Sequence, residues 1–331
     1  FSPLIISILY LIISSLIPLF FYKILKKKYI DIDKNYLFFL SMIIFFSPYF
    51  RSSAVWVTND NIALLFFLIS LFYFVCFKYE NKKDLKYPLL SFLFLILSCY
   101  MRQSYFLFSL IYIYVFFKNL SFIKFFLLLF FNTLISLPAL IYVYFFFSKE
   151  KTDTSYLSGA IQFDIIFSIL IITSLFFFYA FPIIVNYFKN YNYYKYIIKK
   201  KWMIFLLLVS FLVLSIFYEI PIVEYGGGIF YKISSLINLN FLYFFSFLGL
   251  FLLIELNDHK VENYLIWVIL ILSFPFIFIY QKYFDPLMYI LLFSLFQTKK
   301  IDNLILNKMI SLKIIYFYYS IFLISLNLYY Q

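Results

Sequence analysis

Apolar runs of about 15 to 25 residues, divided by short polar stretches, recur along all 331 residues of the chain. Regular alternation of apolar and polar positions is absent, so the runs predict helices rather than the strands of a barrel. Twelve spans are expected: 4–22, 36–50, 61–77, 88–101, 104–117, 121–147, 165–187, 202–218, 235–255, 262–280, 284–297 and 312–330. At about 1.5 Å per residue, the runs 88–101 and 104–117 reach only about 21 Å, short of a hydrocarbon core about 30 Å thick. The polar knot between them, Ser98-Cys99-Tyr100-Met101-Arg102-Gln103-Ser104-Tyr105, is therefore expected below the membrane surface. A guanidinium at that depth costs about 2.5 to 3.5 kcal/mol unless it meets a partner or a wet cavity. Arg102 is thus the residue to explain.

Composition agrees with this pattern. At 66% hydrophobic and 27% aromatic, the chain has more apolar surface than a water-soluble core can hide. It reads as one all-α polytopic transmembrane bundle over residues 1–331. The 51 Phe and 34 Tyr stand beside only five Gly, a compositional bias that is no sign of a binding platform. Cys76 and Cys99 lie in or at the end of apolar runs, as small buried side chains do. The single histidine, His259, has no second soft ligand near it in sequence, so no metal site is expected, and a divalent ion is left possible but unsupported. No phosphate-loop or dinucleotide fingerprint occurs. Phe1-Ser2-Pro3 runs straight into a span, from which a preceding segment is expected.

Charge supplies orientation. Twenty-one of the 27 basic residues fall in one set of loops, from Lys23 to Lys34 through Lys195 to Lys201 and on to Lys313, and the positive-inside rule puts those loops in the cytoplasm. The net charge of +12 is then a topology signal, and no basic soluble face exists to suit a nucleic acid. The other side carries Arg51, Arg102, Lys149, Lys151, Lys232 and Lys282 against seven acids, so opposite charges can meet there.

That outer side also holds the candidate chemistry. Asp60, in the polar stretch Arg51 to Asn61, either caps the following helix or presents a carboxylate to a water-filled site. Arg102 either snorkels to the headgroups or, with Gln103, clamps a lipid phosphate. Glu219 to Gly228 concentrates three of the five glycines, implying unusual backbone angles, close approach or a plain flexible turn, and Lys232 follows as a second phosphate contact. Lys282 and Asp285 either pair locally or line the same cavity as Arg102. Arg51, Asn59, Asp153, Gln162, Glu219 and Glu224 complete the expected lining. Pro18, Pro138, Pro182 and Pro275 are expected to kink their spans.

These placements resemble the GT-C superfamily of polytopic glycosyltransferases, and within it the dolichyl-phosphate-glucose α-1,2-glucosyltransferase family. The likeness rests on Arg102-Gln103 after a short span, on Phe46-Ser47-Pro48-Tyr49, on the segment Thr152 to Gln162 and on the late link Gln281 to Asp285. It runs loosely from Tyr10 to Phe296. Ser104-Tyr105 stands where the family has Thr-Asn, and Lys282-Tyr283-Phe284-Asp285 replaces an Asp-Asn-Arg-His-Tyr run. The resemblance implies a sugar donor carried on polyprenyl phosphate, a saccharide or lipid-linked acceptor, a surrounding membrane lipid and no soluble nucleotide. It also implies a bacterial inner membrane, or an endoplasmic reticulum membrane in a eukaryote, and a main catalytic base ahead of Phe1. A flippase or a polymerase of lipid-linked saccharides is the alternative.

Overall fold

The computed structural model describes residues 2–80, 84–149, 164–190, 200–223, 226–274 and 279–329. Every regular element among them is helical. The chain divides into two compact units, Phe1–Gly159 with Leu326–Gln331, and Ala160–Ser325.

In the first unit α1 (Pro3–Lys28) opens on a proline, which lacks the N–H a helix start leaves unpaired, and closes on Lys26, Lys27 and Lys28, whose charges suit a helix C-terminus. Next come α2 (Lys34–Met42), a 3-10 turn (Ile43–Phe46) and α3 (Pro48–Val55). Ser47 Oγ accepts from the Phe50 N–H at 3.0 Å and Pro48 fixes the first position of α3, so a new helix starts here at 68° to the old one. The expected span 36–50 is therefore broken.

The core of this unit is α4 (Asn59–Tyr79), with α1 on one side and α5 (Lys86–Met101) on the other. Phe67, Leu68, Leu71 and Phe74 are buried along it, and Phe74 stacks on Tyr112 of α6 (Ser109–Asn119) at 4.5 Å. A Lys27–Glu80 ion pair ties the ends of α1 and α4. The last helix of this unit, α7 (Phe122–Lys149), lies alongside α5.

In the second unit α8 (Ile165–Asn190) is the central helix, followed by α9 (Lys201–Phe217), α10 (Gly228–Ile237) and α11 (Phe241–Leu256). Ser246 Oγ donates to the Leu170 carbonyl at 2.7 Å, and a Cβ on Gly249 would lie 1.8 Å from the Thr173 carbonyl oxygen. Both matches carry the same sequence offset, so α8 and α11 run parallel, and only glycine lets their backbones approach so closely. Then follow α12 (Val261–Leu272), α13 (Leu287–Ser294), α14 (Lys299–Leu306) and α15 (Leu312–Tyr329).

Among the described residues four helical segments are long and apolar enough to cross a membrane: Leu4–Lys28, Asn59–Tyr79, Phe122–Ile141 and Ile165–Val185. They become five if the bent pair Lys34–Phe46 and Pro48–Val55 counts as one span, and six shorter apolar helices of 10–17 residues accompany them. Twelve full spans are thus not found, for identifiable local reasons. Run 235–255 breaks where Asn238 is extended and its side chain accepts from the Asn240 N–H at 2.8 Å. Run 284–297 yields only the eight residues of α13, and run 104–117 opens on a 3-10 turn, Gln103–Phe108, before α6 begins. Pro18, Pro138 and Pro182 sit inside continuous helices, and Pro275 lies outside the described residues.

Candidate functional site

The hairpin of α4 and α5 is stitched by serine hydroxyls that donate across it, Ser98 Oγ to the Ala63 carbonyl at 2.7 Å and Ser70 Oγ to the Ser91 carbonyl at 2.6 Å. In both pairs the residue numbers have the same sum, which fixes an antiparallel register. Continued upward, that register brings the first turn of α4 opposite the last turn of α5. Asp60 and Arg102 meet there, with Arg102 Nη1 donating to Asp60 Oδ1. The carboxylate sits at a helix N-terminus and the guanidinium follows a helix C-terminus, so each charge also opposes the end-charge of its own helix. Asp60 does not cap α4, whose N-cap is Thr58, and Arg102 is not simply a snorkelling cation. The two readings made separately from sequence merge into one ion pair.

Two further hydrogen bonds fix its depth. Asn61 Nδ2 donates to Ser14 Oγ at 2.9 Å, and α1 extends from Ser14 back to Pro3, about 16 Å at the helical rise. The Tyr100 hydroxyl donates to the Ile135 carbonyl at 3.0 Å, and α7 continues from there to Lys149, about 21 Å. The pair therefore lies level with the middle of α1 and α7, the two longest helices of its unit, and at the first turn of α4. Beneath it Tyr105 is buried against Phe67, ring centroids 4.8 Å apart. The side chains of Arg102 and Asp60 retain 19% and 29% of their exposure, so the pair is part-buried. Asn61 is anchored a second time through the Phe50 carbonyl at 3.0 Å, which seats α3 beside the pair.

The other expected residues of this unit are less engaged. Gln103, Asn59 and Arg51 are exposed. Asp153, Gln162 and Glu224 lie outside the described residues.

In the second unit the late link Gln281 to Asp285 is mostly buried, apart from the exposed Lys282. Gln281 and Asp285 are buried, at 3% and 5% exposure. Gln281 Nε2 donates to the hydroxyl of Tyr179, halfway along α8, at 3.2 Å, while its Oε1 accepts from the Ile229 N–H at 2.9 Å. Lys282 does not pair with Asp285; its ammonium lies over the rings of Tyr280 and Tyr283, 5.3 Å from each centroid. The glycine run reaches the same level. Gly226, Gly227 and Gly228 have φ of +93°, +77° and +76°, and the Gly227 N–H donates to the Ile279 carbonyl at 2.8 Å. A Cβ on Gly226 would stand 2.9 Å from that carbonyl oxygen, so of the three sequence readings unusual angles and close approach hold, and a plain turn does not. Lys232 is half-buried on α10 and Glu219 is exposed.

Two clusters escape sequence reasoning. Asp164 Oδ1 accepts from the Phe167 N–H at 3.0 Å, capping α8, and its Oδ2 accepts from the Tyr218 hydroxyl. At the opposite, lysine-rich end, Glu255 is 5% exposed and holds Lys200 at 2.8 Å together with Lys300. The only signal for either was a lone acid at the end of an apolar run. Among the described residues no three His, Cys, Asp or Glu side chains gather as metal ligands, and no disulfide joins Cys76 and Cys99. No known protein family, curated protein or solved structure matches the chain.

Proposed function

We propose that this chain is a membrane-embedded glycosyltransferase of the GT-C kind, moving a sugar from a polyprenyl-phosphate donor to a saccharide or lipid-linked acceptor. Its short apolar helices complete the polytopic bundle. The observation that supports this reading is the Asp60–Arg102 pair, part-buried and held level with the middle of α1 and α7. A part-buried ionisable pair packed among apolar helices is costly to keep, and inside a membrane such a pair marks a substrate path by default. A guanidinium carries five N–H donors, enough to hold a carboxylate and a phosphate oxygen together. In the proposed reaction the acceptor hydroxyl oxygen bonds to the anomeric carbon while the bond from that carbon to the phosphate oxygen breaks. The phosphate leaves with the electron pair, Arg102 receives the developing charge, and a carboxylate takes the hydroxyl proton. Asp60 orients Arg102, and Gln103, exposed beside it, adds neutral hydrogen bonds.

Transfer from a polyprenyl-phosphate sugar, measured with the full-length protein and its Arg102→Ala variant, tests this reading. A loss of about 100-fold or more in turnover is expected; undiminished transfer removes Arg102 from the mechanism. One observation favours a flippase instead: two backbone breaks, at Gly226–Gly228 and at Ile279–Asp285, meet halfway along α8, as discontinuous helices do in transporters. Donor crossing proteoliposomes with no glycoside formed would support that second reading.

A further inference from the structure

The lysine-rich end of the second unit is more than an orientation signal. Glu255, at the last turn of α11, is enclosed by cations from two other elements. Lys200, at the start of α9, takes one carboxylate oxygen at 2.8 Å, and Lys300, in the first turn of α14, takes the other and donates to the Glu255 carbonyl at 2.6 Å. A buried amide framework supports the trio. Asn263 Nδ2 donates to Asn257 Oδ1 at 3.1 Å and to the Gln297 carbonyl at 2.9 Å, its Oδ1 accepts from the Gln297 N–H at 2.9 Å, and Lys260 donates to Gln297 Oε1 at 3.0 Å. The cation positions are thus built into the fold rather than left on flexible loops.

Charge at this end does not balance. Among the described residues of this end, Lys200, Lys201, Lys260, Lys299, Lys300, Lys308 and Lys313 outnumber Glu255, Asp258, Glu262 and Asp302 by three, before His259 is counted. Burial, with the Lys200 charge beside it, holds the Lys300 ammonium down to about 8, and burial also lowers Lys200. An added anion would relieve both effects.

The adjoining surface is apolar. No residue of α9 is buried within the chain; Trp202 is 70% exposed, with the Lys201 ammonium 5.8 Å from its ring, and Phe205, Leu206 and Leu212 continue outward along the helix. A cation pocket at the foot of a bare apolar helix, with a tryptophan at the junction, has the amphipathic profile of a phospholipid lying beside the protein.

We infer that Lys200 and Lys300, rimmed by Lys201 and Lys299, form a site for the headgroup phosphate of an anionic phospholipid whose acyl chains lie along α9. The site is separate from Asp60–Arg102 and does not depend on the activity proposed above. Phosphatidylglycerol titrated against phosphatidylcholine into the full chain in neutral detergent, with the unfolding temperature as readout, tests it. Phosphatidylglycerol is expected to raise the unfolding temperature saturably, and Lys200→Gln with Lys300→Gln is expected to weaken the apparent affinity about fivefold for each lysine removed. Because that variant disturbs Glu255, the rim variant Lys201→Gln with Lys299→Gln, whose side chains are exposed, provides a second test with the same direction of effect. Equal stabilisation by phosphatidylcholine, or an unchanged affinity in both variants, overturns the inference. An equal shift from inorganic phosphate alone overturns the lipid assignment and leaves only an anion site.

Discussion

The Asp60–Arg102 pair allows a quantitative test of the way the first unit is held together. Two unit charges about 4 Å apart interact by about 4 kcal/mol at an effective dielectric of about 20, and removing one partner of a fully buried pair costs about 3 to 5 kcal/mol. The two side chains keep 19% and 29% of their exposure, so solvent screening reduces the expected loss to about 2 kcal/mol for Asp60→Asn or Arg102→Gln alone. Combined, the two changes leave no isolated charge among the apolar helices. The double variant is therefore expected to lose clearly less than the sum of the single losses, with a coupling of about 1 to 2 kcal/mol. Unfolding by a denaturing detergent titrated into neutral micelles, followed for all four proteins, reads that coupling. A charge swap, Asp60→Arg with Arg102→Asp, should recover only part of the stability, because each swapped charge would then meet the helix end of its own sign. Additivity within about 0.5 kcal/mol, or full recovery in the swap, would refute the account of depth and dipole given for this pair.

Three further outcomes are expected. Gly226→Ala should destabilise the second unit by about 2 kcal/mol or more, since an alanine at φ +93° is strained and its Cβ meets the Ile279 carbonyl, whereas Ala180→Gly, in the buried interior of α8, should cost only about 1 kcal/mol; comparative unfolding of the two variants checks the contrast. Gln281→Leu removes the acceptor for the Ile229 N–H and the donor to Tyr179, so a loss of about 2 to 3 kcal/mol and faster hydrogen exchange at the start of α10 are expected. The Lys300 ammonium is held down to about 8, below its ordinary value, so between about pH 8 and the ordinary lysine range the unfolded chain binds more protons than the folded one; stability should rise with pH across that window, and Lys300→Gln should flatten the rise.

Much of this arrangement was legible in the sequence, and the exceptions have physical causes. That Arg102 needs a partner was legible from the apolar runs on either side of it. Its partner did not follow, since Asp60 lies 42 positions away and only the serine register of the α4–α5 hairpin brings the two together. The glycine run gave its own signal in a chain so poor in glycine, but what approaches it, the Ile279 carbonyl, depends on tertiary contact. Twelve spans were overcounted because hydropathy cannot tell a full crossing from a broken one. Asn238 and Ser47 interrupt apolar runs by offering the backbone local hydrogen bonds, a competition that a window average does not register. Glu255 passed unnoticed because a single acid ending an apolar run looks like a boundary residue until its two lysines are seen in space.

The loop before α10 also bears on the order in which the second unit can assemble. The acceptors for the Gly227 and Ile229 amides belong to residues 279 and 281, some fifty positions further along the chain. During synthesis those amides emerge long before their acceptors do, and lipid offers no substitute. The start of α10 can therefore reach its final hydrogen bonding only once the chain around Gln281 has been made.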